Sequence, residues 1–236
     1  MPASLKFYPE FAKRWLDLVI SSAALVALSP LLMAISLMVL LIDGRPVFFQ
    51  QIRTGRSGKA FRIWKFRTMS GTPQPGETLV TSRDDDRITR LGGWLRRTKC
   101  DELPQLWNVV RGDMSLVGPR PEVTRYTDRY TEQQRLVLAV RPGITGPAAN
   151  EYIGEEDLLA AQEDKEAYYV QVLLPAKLES DLEYVRRIAF NTDLKLIAKT
   201  ISNLLLKSPK NSKTQFPVLG DSIGVTRDGE RSRGAA

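Results

Sequence analysis

Asp101 and Glu102 stand side by side, with Arg96, Arg97 and Lys99 just before them and Arg120 and Arg141 further along the chain. Two adjacent carboxylates among cations suit one chemistry in particular. One carboxylate can attack an electrophile as a nucleophile while its neighbour holds a divalent cation, and a helix starting there would attract phosphate with its positive end. The plainer reading is structural: an Asp at the N-cap and a Glu in the first turn complement a helix macrodipole. A second cluster, Asp84-Asp85-Asp86, has the Asp-x-Asp spacing of some metal sites and also reads as a solvated turn.

Composition narrows the chemistry further. The 236 residues include no His and one Cys. A Ser-His-Asp or Cys-His nucleophile pair, a His-based zinc site, a disulfide within the chain and a multi-Cys metal cluster are all excluded. An enzyme of this composition works with carboxylates, Lys, Arg, hydroxyls or a hard metal ion. The chain carries 34 Lys and Arg against 27 Asp and Glu, a net charge of +7, which favours an anionic partner. A mean hydropathy of -0.22 is too polar for a bundle of membrane helices, so membrane contact is confined to one segment.

That segment is plain. Leu18 to Ile42 is an uncharged run of 25 residues, roughly 37 Å as a straight helix and long enough for a bilayer core. Ser29-Pro30 lies near its centre, and Pro30 removes the donor that would reach the Val26 carbonyl, so the helix should bend there. Lys13 and Arg14 precede the run, seven basic residues from Arg45 to Arg67 follow it, and 44–76 contains no acid. Two basic flanks favour a re-entrant hairpin with both ends on the cytoplasmic side; a kinked span and a buried soluble helix are the alternatives.

The rest reads as an α+β, mostly helical single domain. Val47 to Gln51 and Phe61 to Phe66 predict a small β-hairpin around a glycine-containing loop. Helices are expected over Arg87 to Thr98, from Asp101 to near Gly112, and over Thr131 to Val140, Glu155 to Tyr169 and Asp181 to Leu206. Ser115 to Val117 reads as a short strand followed by the rigid corner Gly118-Pro119-Arg120-Pro121. The expected organisation is an interfacial segment over 1–15, the broken membrane hairpin over 16–43, a cytoplasmic catalytic domain over 44–206 and a disordered basic tail over 207–236.

Several blocks carry a family resemblance: Arg67-Thr68-Met69, Asp86-Arg87-Ile88-Thr89-Arg90, Leu95-Arg96-Arg97-Thr98, Asp101-Glu102-Leu103-Pro104-Gln105-Leu106-Trp107-Asn108-Val109, Gly112 to Glu122, and Arg141-Pro142-Gly143-Ile144-Thr145-Gly146. In order and spacing they resemble the bacterial sugar transferase family, the monotopic phosphoglycosyl transferases, from about Lys13 to Leu206. The resemblance implies transfer of a sugar 1-phosphate from a UDP-sugar to polyprenyl phosphate, with release of UMP, as the first membrane step in bacterial surface glycan synthesis.

It also implies a re-entrant hairpin turned at Ser29-Pro30, Asp101 as the nucleophile through an aspartyl-phosphosugar intermediate, and Glu102 as a holder of Mg²⁺. Lys65, Arg67, Arg96, Arg120 and Arg141 are the expected substrate-binding cations, because a polyanion must be neutralised for an anion to attack it. Arg120 stands out, since flanking prolines would pre-aim its fork. The implied setting is the cytoplasmic face of a bacterial inner membrane rich in anionic lipids, with no nucleic-acid partner and with a homodimer left open.

Two positions depart from the family pattern. Pro147-Ala148-Ala149-Asn150 replaces a large apolar residue followed by Ala and Gln, and Cys100 replaces an apolar residue. Competing readings are a metal-dependent glycosyltransferase working through Asp84 and Asp86, and a basic membrane- or nucleic-acid-binding module suggested by a pI of 9.6. The sequence does not choose the sugar.

Overall fold

Pro30 lacks an N–H, so the Val26 carbonyl loses its helical donor. In the computed structural model, which describes residues 8–71 and 80–205, that carbonyl accepts instead from the Ser29 hydroxyl at 2.8 Å. The apolar run forms two helices, α1 (Lys13–Ala27) and α2 (Ser29–Ile42), bent by 61°. Among the described residues no single helix is long and apolar enough to cross a membrane; only this bent pair qualifies, and only together.

Helix α1 reverses the usual burial pattern. Lys13, Asp17 and Ser21, spaced four apart on one face, are buried, while Trp15, Val19 and Val26 are exposed. Its inward partners are polar: Lys13 pairs with Asp193, the Leu116 N–H donates to Asp17 at 3.1 Å, and Arg14 donates to the Val109 and Val110 carbonyls at 2.6 and 3.0 Å. Helix α2 buries Ile35 and Val39 against Phe66 and Leu95 and leaves Met33, Leu37 and Leu41 exposed.

The predicted hairpin is present and longer than expected. Strands β1 (Phe48–Thr54) and β2 (Ala60–Phe66) pair antiparallel, with Phe48 opposite Phe66 and Thr54 opposite Ala60. A second two-stranded sheet pairs β3 (Ser115–Val117) in parallel with β4 (Gly143–Thr145), a strand too short to show a period in the sequence. Glycines permit this crossing: a Cβ on Gly143 would lie 2.1 Å from the Gly118 nitrogen, and one on Gly146 would lie 2.2 Å from the Gly118 oxygen.

Helix boundaries moved where caps and tertiary bonds intervene. Helix α3 (Arg90–Thr98) begins after Thr89, whose hydroxyl accepts from the Gly92 N–H at 2.8 Å. Gly92 sits inside the helix because a Cβ there would meet the Thr68 oxygen at 2.0 Å. The helix expected from Asp101 is α4 (Gln105–Arg111), which ends at Gly112 (φ +92°); a 3₁₀ turn, Cys100–Glu102, precedes it.

Downstream come α5 (Thr124–Thr127), a 3₁₀ turn over Gln134–Ala139 where a full helix was expected, and α6 (Pro147–Glu151). The helix expected over Glu155 to Tyr169 is two pieces, α7 (Glu155–Ala160) and α8 (Lys165–Tyr168), the second capped by Asp164. The helix expected from Asp181 is also two, α9 (Leu174–Arg186) and α10 (Phe190–Leu205). The break between them lets Asp193 turn inward to accept from Tyr184 at 2.7 Å and to meet Lys13. The fold is therefore α+β and mostly helical, its largest core built from Val123, Tyr126, Tyr168, Leu173 and Leu178. The tail expected over 207–236 lies outside the described residues.

Candidate active site

Lys99 ends α3 in the left-handed region (φ 57°, ψ 14°) and turns the chain so that Cys100–Glu102 forms the 3₁₀ turn leading into α4. Asp101 and Glu102 are both buried there. Asn108, one turn into α4, pins this helix to β2: its side-chain oxygen accepts from the Trp64 N–H at 3.0 Å and its amide donates to the Arg62 carbonyl at 2.7 Å. That clamp brings Lys65 beside the acidic turn.

The two carboxylates then diverge. Glu102 Oε1 accepts from Lys65 Nζ at 2.7 Å and from Arg120 Nη2 at 2.9 Å. Burial opposes its charge, but Arg120, Lys65 and Lys99 outweigh burial and hold the carboxyl well below its ordinary range. Glu102 in return keeps the Arg120 guanidinium charged, and it offsets the burial that lowers the pKa of Lys65. Asp101 goes the other way. Burial pushes its pKa up, Lys65 pulls against that, and the neighbouring Glu102 pushes it further up. Its Oδ1 is buried and has no hydrogen-bond partner among the described residues.

An underbonded buried oxygen beside fixed cations is an available lone pair, the arrangement a nucleophile requires. The same oxygen fits a divalent ion. Among the described residues no group of three or more acid, Cys or His side chains converges on one point. Two carboxylates plus substrate oxygens and water nonetheless match the way Mg²⁺ is commonly held.

A bacterial sugar transferase family model matches residues 8–207. The chain belongs to that family. It is 38% identical over 193 residues to an Escherichia coli UDP-glucose:undecaprenyl-phosphate glucose-1-phosphate transferase, covering 80% of this chain and 39% of that protein. A Caulobacter vibrioides protein of the same description is 36% identical over 199 residues, 83% of this chain and 70% of the relative. An Aeromonas hydrophila UDP-N-acetylgalactosamine-undecaprenyl-phosphate N-acetylgalactosaminephosphotransferase is 33% identical over 200 residues, covering 83% and 44%. The chain thus spans about two fifths of the length of the E. coli relative.

In this bacterial sugar transferase the cations expected from sequence fall into two groups. Lys65 and Arg120 reach Glu102 directly, and the positive charge of Arg96, itself paired with Glu156, acts on Asp101. Arg67 is elsewhere: it donates to the carbonyls of Asp43, Gly44 and Arg45, closing the C-terminal end of α2. Arg141 donates to the Gly112 carbonyl at 2.9 Å, at the end of α4 opposite Asp101. The structure does not bring Arg67 and Arg141 to the carboxylate pair, because backbone carbonyls at helix ends hold both. Cys100 packs with the Phe66 and Leu95 cluster as a small hydrophobe.

The Asp-x-Asp reading finds no geometry to carry it. Asp84 accepts from Ser82 at 2.5 Å and from Lys165, and Asp85 holds its near neighbour Arg87 with both oxygens. Asp86 is exposed.

A buried layer behind Arg120 was invisible in the sequence. The Arg120 N–H donates to Asp181 at 3.3 Å, and the Ala148 N–H does the same at 3.3 Å. Burial pushes the Asp181 carboxyl up to about 7, with those N–H groups and Lys177 opposing. Glu122 accepts from the Tyr169 hydroxyl at 2.5 Å, and Lys177 pairs with Glu155 at 2.8 Å. Arg53 donates to the Pro121 carbonyl at 3.1 Å, so this layer fixes the Gly118–Pro121 corner from behind. The only sequence signal was an acid, Asp181, inside the apolar stripe of Leu178 and Leu182. The Pro147 departure is structural in effect: Asn150 bonds the Leu196 carbonyl at 3.2 Å and accepts from Thr200 at 3.1 Å, tying α6 to α10.

Proposed function

We propose that this chain transfers a sugar 1-phosphate from a UDP-sugar to polyprenyl phosphate, undecaprenyl phosphate by analogy with its relatives, with Asp101 as the nucleophile. One observation carries the reading: among the described residues Asp101 keeps an unpartnered buried oxygen while Glu102, beside it, is fixed by Lys65 and Arg120.

In the first step an Asp101 oxygen attacks the phosphorus that bears the sugar, and the phosphoanhydride bond breaks so that UMP leaves with the bonding electrons. In the second, an oxygen of polyprenyl phosphate attacks the same phosphorus, the acyl phosphate bond breaks, and the Asp101 carboxylate is restored. A carboxylate and a phosphate attack through oxygens that have no hydroxyl or amine proton to shed, so neither step needs a base, which suits a chain without His. Arg120 and Lys65 lower the cost of bringing an anion to a polyanion, and Glu102 keeps them charged and aimed. Glu102, with substrate oxygens, would hold Mg²⁺, which when bound would add charge neutralisation at the pyrophosphate.

The bent pair α1 and α2, with exposed apolar side chains outward and basic residues at both ends, is the re-entrant anchor of this reading. It seats the catalytic domain on the cytoplasmic face of a bacterial inner membrane, where anionic headgroups meet the exposed Arg45 just beyond α2. The pathway entered is the first membrane step of a surface glycan.

The test is to supply UDP-sugars, undecaprenyl phosphate and Mg²⁺ and to identify the nucleotide released. UMP is expected; UDP would refute the reading. Rapid-quench mass spectrometry of the intact protein should detect a phosphosugar on Asp101, and an active preparation that never shows one rejects the covalent step.

A further inference from the structure

An apolar pocket of about 260 Å³ lies in the elbow of the bent helix pair. Leu25 and Leu32 line it from either side of the helix break, Phe48, Trp64 and Phe66 from the hairpin, and Trp107 from α4. Its aromatic wall is rigid: Phe48 stacks on Phe66 with ring centres 5.3 Å apart and meets Trp64 edge-on at 5.8 Å. We propose that this pocket seats the isoprenoid chain of the lipid acceptor next to its phosphate, an inference that rests on the transfer reaction above.

Strand β2 provides the argument. Its residues alternate, so Trp64 and Phe66 face the pocket while Lys65, between them, reaches Glu102. One strand therefore presents hydrocarbon on one side and a cation at the carboxylates on the other. Pro104, which also lines the pocket, follows Asp101 by three residues. A ligand with an anionic head and a purely apolar remainder matches this division, whereas a UDP-sugar could offer the aromatic wall only its uracil ring, whose polar edges would face Leu25, Leu32, Phe48 and Phe66 without partners.

Exposure supports the same occupant. Leu106 and Trp107 are adjacent on α4. Leu106 is 7% exposed, but Trp107 is 49% exposed at the pocket, as is Phe48 at 39%. The exposed residues Val26 and Leu31 flank the same elbow, so a chain leaving the pocket continues along apolar surface into the bilayer. An ordinary acyl chain would share that route. Only the acceptor must bring its head to Asp101 in every cycle, which favours it over bulk lipid.

The test separates the two half-reactions. Exchange of labelled UMP into UDP-sugar needs no lipid; full turnover does. Leu25→Trp fills the pocket, and the ratio of undecaprenyl phosphate turnover to UMP exchange should fall about tenfold, the effect of losing some two methylene contacts. A phosphate with a short prenyl chain should show no such fall. Trp107→Ala, at a half-exposed site, is the second variant should Leu25→Trp not fold, and should act in the same direction. Leu41→Trp, on the exposed face of α2 and outside the pocket, should leave the ratio as in the wild type.

A diazirine-bearing polyprenyl phosphate should label the peptide containing Trp107, with competition by undecaprenyl phosphate and not by phosphatidylglycerol. An unchanged ratio in both pocket variants, or equal competition by phosphatidylglycerol, overturns the proposal. A wild-type protein that never exchanges UMP instead overturns the transfer reaction itself.

Discussion

Asp84 is 59% exposed in its side chain and shares its charge with the Ser82 hydroxyl at 2.5 Å and Lys165 at 3.1 Å. Asp101 is buried, with an oxygen that no described residue bonds. The two clusters use the same residue type within one stretch of chain. At the first, Ser82 and Lys165 hold Asp84, and Arg87 holds both oxygens of Asp85. At the second, the local cations are drawn to Glu102, and burial leaves its partner short of hydrogen bonds. In the proposed reaction, what sets Asp101 apart is how the available donors are divided between two carboxylates, not how many acids are clustered.

The comparison is broken most directly by exchanging its central atoms. Asp101→Asn should lower sugar-phosphate transfer by roughly 10⁴-fold or more, the scale seen when a covalent nucleophile is removed. Its thermal midpoint should stay equal or rise, because burial disfavours the lost charge. Asp84→Asn should leave transfer within assay error; a matching loss there would erase the distinction between the clusters.

Arg120→Lys keeps the charge and loses the planar fork, and should reduce kcat/KM on the order of 10² to 10³-fold, measured with UDP-sugar varied. Glu102→Gln removes the shared acceptor of Lys65 and Arg120, and should destabilise the fold by about 3 kcal/mol in denaturant titration.

The smallest effect is a pH shift that sharpens the contrast. With its pKa raised by burial, Asp101 protonates at higher pH than an ordinary Asp, so the acid limb of kcat/KM should lie above 3.8. Glu102 runs oppositely: its pKa is depressed, so its stabilising contribution is present above the unfolded value of 4.5 and is lost only as pH falls through the lower folded value. Activity should therefore disappear, as one proton is taken up, while circular dichroism still reports a folded protein.

Much of this fold is written locally. The bend at Pro30, the hairpin, the Gly112 stop and the corner around Arg120 each follow from a proline, a glycine or a two-residue alternation. Helices were misjudged where distant partners intervene. Asp193 breaks α9 from α10 to reach Lys13, 180 residues away, and Thr89 shortens α3. In the site, Asp101, Glu102, Lys65 and Arg120 were legible, whereas Asp181, Lys177 and Glu155 were hidden on helices whose buried faces a linear pattern does not reveal. Arg67 and Arg141, named with them from the sequence, bond helix-end carbonyls that no sequence pattern marks.

By itself the sequence determined which chemistry was open, since the absence of imidazole leaves carboxylates and cations. It also determined where the apolar segment must turn, because a missing N–H acts within a single helical turn. Only the tertiary structure decided which carboxylate is spent on structure and which stays free. Ion pairing and desolvation depend on groups 37 and 18 residues distant, and those groups meet only after the chain has folded.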